Sequence, residues 1–222
     1  MLYRLPLTNH QVWNRTAQTV AQSQGNSLVE NARMFALMNM ALHDGLQTSF
    51  ASKFHYSLWR PITAIRRAAE DDNPLTDPDP NWTTLHPATP PYPTYAGNAA
   101  SIGASCATVL AEFFGTDDVP FTVDWSLYGF PGVTRSYDGF REAADEHARS
   151  REYGGIHFRF DSDAGQEIGA DVGGYVVDHF LLPDRPGRGA GGAAVFCDDC
   201  VDDRRGAFDP DDEDEHLRSI VR

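Results

Sequence analysis

Two short segments of the sequence concentrate residues that could bind a negatively charged oxygen group. The first, residues 53–61, places Lys53 and Arg60 seven residues apart, with the arginine directly before Pro61. Proline suits the first turn of a helix, and the unpaired N–H groups of a helix N-terminus attract anions. An adjacent arginine adds a planar fork of donors. The segment therefore predicts that Lys53 and Arg60 bind a tetrahedral oxyanion such as phosphate.

The second segment, residues 150–161, carries groups that could act on the same anion. Arg151 can bind it from another side, and the glycine pair that ends with Gly155 lets backbone N–H groups come close. His157 and Asp161 are four residues apart, which is one turn if this stretch is helical. At that spacing a carboxylate can orient an imidazole, whose free nitrogen could attack phosphorus or coordinate a metal oxyanion.

The charged residues narrow the classes of partner. The formal net charge is −14, which argues against nucleic acid because phosphate contacts need a basic face. Small molecules or proteins are the predicted partners. Lys53 is the one lysine among 18 basic residues, which suggests a specific role for it. The alternative is that this charge composition has no specific role at a site and reflects an adaptation of the host, for instance to high internal salt.

Helical periodicity dominates the segments that must position these residues, and no pair of strands is convincing. Ser27 and Glu30 form a capping box in front of the first helical run. Gly165, Gly169 and Gly173 recur at four-residue spacing, which predicts close packing between two helices. The fold class predicted is all-α. The predicted helices cover residues 31–50, 61–70, 97–114, 140–151 and 163–182, and residues 71–93 form a long loop.

A chain of 222 residues requires no more than one full domain. We predict a helical oxyanion-binding domain over residues 1–183 and a Gly- and Asp-rich acidic tail without stable order over residues 184–222. Cys197 and Cys200 form a C-x-x-C in this tail that lacks the partners of a zinc site. No apolar run of membrane-span length and no signal peptide is found, so the chain is predicted to be soluble and, by default, cytoplasmic.

The two segments together resemble a known superfamily. Lys-x6-Arg-Pro, followed by Ser-Arg-x3-Gly-x-His-x3-Asp, matches in spacing the first and third motifs shared by type 2 phosphatidic acid phosphatases, bacterial acid phosphatases and vanadium-dependent haloperoxidases. The flanking residues 56–66 and 89–95 look like the haloperoxidase branch, and the resemblance runs from about Trp13 to Pro183. It implies a helical bundle of the acid phosphatase/vanadium haloperoxidase type, similar to the C-terminal part of the longer family members.

The resemblance also implies roles for individual residues. Lys53, Arg60 and Arg151 would bind the equatorial oxygens of vanadate, the implied cofactor, and phosphate could occupy the same site. His157 would be the axial vanadate ligand or the nucleophile of a phosphatase, with Asp161 as its orienting carboxylate.

The middle motif of the superfamily is altered in this chain. Relatives usually have Pro-Ser-Gly-His, in which Ser and Gly contact the oxyanion and His acts as acid and base, and here the stretch is Ala96-Gly97-Asn98-Ala99. Gly97 would still allow contact with the oxyanion. Asn98 could donate a hydrogen bond to the oxyanion or to peroxide, but it cannot exchange a proton near neutral pH. His86 and His55 are alternatives for the missing acid–base group.

Three functions are compatible with this pattern. The first is a vanadate-dependent peroxidase that oxidises a halide or an organic substrate with hydrogen peroxide. The second is an acid phosphatase that hydrolyses phosphomonoesters through a phospho-His157 intermediate. The third is a catalytically degenerate oxyanion-binding or assembly module. Because the chain is shorter than its relatives, uncovered apolar faces could also support a homodimer.

Overall fold

The computed structural model of the chain describes residues 9–128 and 130–182. Within these residues the helices are α1 (Asn9–Gln24), α2 (Leu28–Tyr56), α3 (Pro61–Arg66), α4 (Asn98–Phe114), α5 (Phe140–Tyr153) and α6 (Arg159–His179), and the strands are β1 (Phe121–Asp124) and β2 (Thr134–Tyr137). Short 3-10 turns occupy Ala68–Glu70 and Trp125–Tyr128. The predicted acidic tail, with Cys197 and Cys200, lies outside the described residues. The all-α class is confirmed by this predominantly helical architecture.

The long helix α2 carries the first site residue. It begins with the predicted capping box, because Glu30 N donates to Ser27 Oγ at 3.3 Å and Ser27 N donates to Glu30 Oε2 at 2.7 Å. It extends beyond the predicted end near Phe50 and terminates at Ser57, whose φ of 52° is left-handed. Lys53 therefore lies in the last turn of α2 instead of in a loop after it.

Helix α4 is the centre of the bundle and packs against α1, α2, α5 and α6. The predicted close approach at the α6 glycines is confirmed, because a Cβ at Gly169 would overlap the carbonyl oxygen of Ser101 in α4. On the opposite side, Ser101 Oγ donates to Gly45 O of α2 at 2.8 Å. Small residues thus let three helices meet with their backbones nearly in contact, which fixes the relative position of the site residues that these helices carry.

The prediction that the chain contains no strand pair was wrong. β1 and β2 form an antiparallel hairpin in which Phe121 pairs with Tyr137. Phe121 also stacks on Phe140 at the start of α5, with 5.7 Å between ring centroids. Each strand has only four residues, and of the two only β1 alternates between buried and exposed side chains. The two-residue periodicity therefore extends over too few residues to be recognised in the sequence.

Helix α1 is not among the predicted helices, although Trp13, Ala17 and Val20 are buried at helical spacing. It contacts α2, α4 and β1 and brings its first residue, Asn9, close to the end of α5. None of the helices in the described ranges is both long and apolar enough to cross a membrane.

Candidate oxyanion-binding site

Lys53 is a fully buried cation on the last turn of α2. Its Nζ donates to the carbonyl oxygens of Pro93, at 3.2 Å, and Thr94, at 2.6 Å, which fastens the loop before α4 to α2. Burial, and then the positive charge of Arg60, lower the pKa of Lys53 to about 7. An ammonium group has three protons. An anion that accepted the third would offset the cost of burying this charge.

Arg60 lies at the N-cap position of α3, at the predicted helix N-terminus, and its side chain is almost fully buried. Nε donates to Tyr92 O at 2.9 Å, and Nη1 donates to Ile156 O at 2.7 Å and to His157 Nε2 at 2.9 Å. Nη2 is buried and has no hydrogen-bond partner among the described residues. A buried donor without a partner costs about 1–3 kcal/mol, and more if it is charged. Nη2 can therefore donate to an acceptor that the described residues do not supply.

His157 directly precedes the N-cap of α6 and is buried. Its Nδ1 lies 2.6 Å from Asp161 Oδ1 in the first turn of the helix, so the two side chains meet although His157 itself lies before the helix and not one helical turn away within it. Burial lowers the pKa of His157 to about 4 in spite of this carboxylate. The imidazole is thus neutral near pH 7, and since Nδ1–H donates to Asp161, the lone pair is on Nε2. This is the form that coordinates a metal or attacks phosphorus.

Asp161 is held by several donors in a fully buried position. Phe158 N donates to Oδ2 at 3.1 Å, and Thr94 Oγ1 donates to the same oxygen. The backbone carbonyl of Asp161 accepts from Gly97 N at 2.7 Å, and a Cβ at position 97 would lie 2.9 Å from that carbonyl oxygen. Glycine at position 97 therefore lets the N-terminus of α4 meet the first turn of α6.

Arg151 lies in the last turn of α5 and is buried, as the helical pattern predicts. Burial lowers the pKa of Arg151, and an electrostatic interaction with the phenol of Tyr92 raises it by a smaller amount. Arg151 Nη2 is 3.5 Å from Asn9 Oδ1, the atom that also lies 2.9 Å from His147 Nε2. Since Asn9 Oδ1 is an acceptor, His147 donates from Nε2. Burial and the charge of Arg151 lower the pKa of His147 to about 3.

The remaining predicted contacts are less direct. Gly155 has a left-handed φ of 75°, and its N–H donates to Glu152 O at 2.8 Å, so this amide, like that of Gly97, is paired within the chain. Asn98 is half-buried at the first position of α4 and lines a groove with Tyr92. The first N–H groups of a helix have no partner within it, so the start of α4 still offers amides to an anion. The oxyanion contacts of Gly97, Asn98 and Gly155 remain predictions.

The two alternative histidines lie in different surroundings. His86 N donates to Gly154 O at 2.9 Å, and its ring Nδ1 is 2.6 Å from Ala88 O. Burial lowers the pKa of His86, and the charge of Arg151 lowers it further. His55 is exposed at the end of α2 and contacts the ring of Tyr56. Of these two residues, only His86 interacts with a cation of the site.

Three contact residues were not predicted. Asn9 and Thr94 lie far along the chain from the groups they touch, Arg151 and Asp161, and no local pattern connects them. Tyr92 lies in the Pro-Tyr-Pro stretch that supports the resemblance, and that stretch is the one signal that pointed to it.

Comparison with known proteins agrees with this architecture. A family model described as "VCPO second helical-bundle domain" matches residues 33–182. Vanadium chloroperoxidase of Curvularia inaequalis is 29% identical, and the match covers 73% of this chain and 34% of that protein. The crystal structure described as that of the first bacterial vanadium-dependent iodoperoxidase is 30% identical with a TM-score of 0.67, over 78% of this chain and 39% of that one.

A holo-type bacterial vanadium-dependent chloroperoxidase superposes with a TM-score of 0.51 at 16% identity, over 79% of this chain and 50% of its own, and shows the fold alone. The family match covers more than half of the sequence, so the chain belongs to the vanadium haloperoxidase family, within the superfamily that the motifs indicate. It spans about a third of the chloroperoxidase and two fifths of the iodoperoxidase chain.

Proposed function

We propose that this chain binds vanadate and acts as a vanadate-dependent peroxidase that oxidises a halide or an organic substrate with hydrogen peroxide. The observation that carries the proposal is the buried series Arg60–His157–Asp161. It combines a neutral imidazole, whose lone pair is on Nε2, with a buried N–H of the neighbouring guanidinium that has no partner within the described part of the chain.

The charges of the site fit a multiply charged oxyanion. Lys53 and Arg60 are both buried, and the one fully buried carboxylate among the described residues of the site is Asp161. Burying two cations against one carboxylate is unfavourable unless further negative charge is supplied. Vanadate and phosphate both supply it in a tetrahedral arrangement of acceptor oxygens, for which lysine and arginine are suitable donors.

In the proposed site each residue has a defined task. Lys53, Arg60 and Arg151 hold the oxygens of the anion, His157 provides Nε2 as the ligand, and Asp161 keeps the imidazole in the required tautomer. Vanadate supplies a Lewis-acidic centre that activates hydrogen peroxide for oxygen transfer. Because Arg60 Nη1 now donates to Nε2, this hydrogen bond must be given up when Nε2 becomes a ligand.

A second candidate is oxyanion binding without turnover. It is favoured by Ala99, which is buried at the position of the family's acid–base histidine. Loss of such a group typically removes about 100- to 10,000-fold of rate. The phosphatase alternative uses the same residues with phosphate, and it depends more strongly on the missing histidine because the leaving alkoxide needs a proton.

The test is calorimetric titration of orthovanadate into the wild-type chain, His157→Ala and, as a control, the exposed-histidine variant His179→Ala. Hydrogen peroxide, bromide or iodide and a dye that changes colour on halogenation are then added. We expect binding that is lost in His157→Ala and retained in His179→Ala, with dye turnover. Binding without turnover would support the second candidate. If the wild-type chain binds no vanadate, both candidates are wrong.

A further inference from the structure

Tyr92 is an aromatic residue whose ring contacts two cations of the site. It is half-buried in the loop before α4. Its ring centroid lies 5.0 Å from Arg60 Cζ and 5.6 Å from Lys53 Nζ, and both cations therefore contact the ring. Its backbone oxygen accepts the hydrogen bond from Arg60 Nε, which fixes the loop against the start of α3.

The side chain of Tyr92 also interacts with two arginines of the site. Its phenol interacts electrostatically with Arg60 and with Arg151, and in each case it raises the pKa of the guanidinium against the lowering caused by burial. These two arginines belong to the N-terminus of α3 and the C-terminal turn of α5. One tyrosine side chain is thus close enough to interact with cations of two different helices.

The other side of Tyr92 faces a groove. The ring packs against Phe50 with 5.0 Å between centroids. Both residues line this groove together with Asn98 and the apolar side chains of Leu46 and Ile102. Tyr92 therefore contacts two cations of the site and also lines this groove.

We propose that the Tyr92 hydroxyl donates a hydrogen bond directly to the oxyanion held by Lys53, Arg60 and Arg151, an inference that rests on the proposed function. A phenol carries one O–H donor, and the oxygens of vanadate or phosphate are strong acceptors. The hydroxyl supplies a neutral donor at a site where the buried Ala99 supplies none. Tyr92 is thus a ligand-contacting residue as well as the aromatic wall of the groove.

The variant Tyr92→Phe tests this inference, because it removes one oxygen and keeps the ring that contacts Phe50 and the cations. Inorganic phosphate and orthovanadate are titrated separately into the wild-type chain, Tyr92→Phe and the control Tyr175→Phe, whose tyrosine is exposed on α6. The free energy of a hydrogen bond to a charged group predicts that Tyr92→Phe binds each anion about tenfold to a hundredfold more weakly than the wild-type chain. We expect no change in Tyr175→Phe.

The outcomes separate this inference from the proposed function. If the wild-type chain binds and Tyr92→Phe binds equally well, the Tyr92 contact is wrong and the proposed function stands. If the wild-type chain binds neither anion, both are wrong. The unfolding midpoint of Tyr92→Phe is measured without anion to show that the variant is folded. If the variant does not fold, the near-ultraviolet difference spectrum of the wild-type chain on phosphate addition tests the contact instead. A phenol that forms a hydrogen bond to the anion changes its absorbance. An unchanged spectrum would therefore overturn the contact.

Discussion

Arg60 Nη1 lies 2.9 Å from His157 Nε2, on the side of the imidazole opposite its hydrogen bond to Asp161. Because guanidinium nitrogens only donate, this contact requires a lone pair on Nε2 and so fixes the same tautomer as the Asp161 contact does. It also joins the N-terminus of α3 to the N-terminus of α6. The nitrogen proposed to bind vanadate is thus already directed at the group that would bind the anion's oxygens.

The first prediction concerns the charge of Lys53. Its pKa of about 7 in the free protein means that anion binding above that pH must be accompanied by proton uptake. Oxyanion affinity is therefore expected to fall as pH rises above 7, by up to about tenfold per pH unit. Calorimetry from about pH 6 to about pH 9 measures this dependence.

Phosphate and vanadate also titrate in this range, so Lys53→Met serves as the matched control. It should bind more weakly at pH 6 and retain only the dependence that comes from the anion. Parallel pH profiles for the wild-type chain and Lys53→Met would contradict the assigned charge of Lys53.

The second prediction concerns acid stability. The unfolded histidine takes up a proton below about pH 6.5, whereas His157 in the folded chain does so only near pH 4. The stabilising contribution of the neutral form is therefore complete above about pH 6.5 and is lost as pH falls towards 4. The cost approaches about 1.4 kcal/mol per pH unit for this group. His147, with a pKa of about 3, acts in the same direction.

Urea unfolding of the wild-type chain at pH 7.5 and at pH 5 tests this pH dependence. His157→Gln should show a smaller loss of stability between the two conditions, while the exposed-residue variant His179→Gln should match the wild-type chain. Equal losses in all three proteins would show that His157 does not remain neutral in the folded state.

The third prediction concerns the contact between α4 and α6. Gly169→Ala places a methyl group against the Ser101 carbonyl oxygen and should destabilise the fold by about 1–3 kcal/mol. Gly174, on the same helix, has nothing within 4 Å of an added Cβ. Gly174→Ala is therefore expected to leave the free energy of unfolding unchanged or to raise it by up to about 1 kcal/mol. Similar effects of the two substitutions in urea unfolding would disprove the tight contact at Gly169.

The sequence predicts the cations and the His157–Asp161 pair because their spacing is local or belongs to a recognised motif. The contacts that orient them are different in kind. Thr94 reaches Asp161 across 67 positions, and Asn9 reaches Arg151 across 142. Such contacts arise when a loop and the first residue of α1 pack on the finished bundle, and no sequence periodicity predicts them. The β-hairpin was missed for a related reason, since its four-residue strands are defined by pairing with each other.

The last prediction restores the missing acid–base group. Ala99 is buried at the second position of α4, next to Asn98. If the rest of the site is intact, Ala99→His should leave vanadate affinity within about tenfold of the wild-type value. It should raise halogenation of the dye by up to the 100- to 10,000-fold typical of general acid–base catalysis. The double variant Ala99→His/His157→Ala is the control, because it carries the new imidazole without the proposed ligand, and it should remain inactive.

A parallel assay with a chromogenic phosphomonoester separates the two enzymatic functions. Hydrolysis gained in Ala99→His and absent from the double variant, without dye halogenation, would favour the phosphatase, since the added histidine would then protonate the leaving alkoxide. The unfolding midpoint shows whether the larger side chain fits at this buried position. A folded Ala99→His that binds vanadate but catalyses neither reaction would mean that the loss of one histidine does not explain the absence of turnover, and that the chain has retained only oxyanion binding.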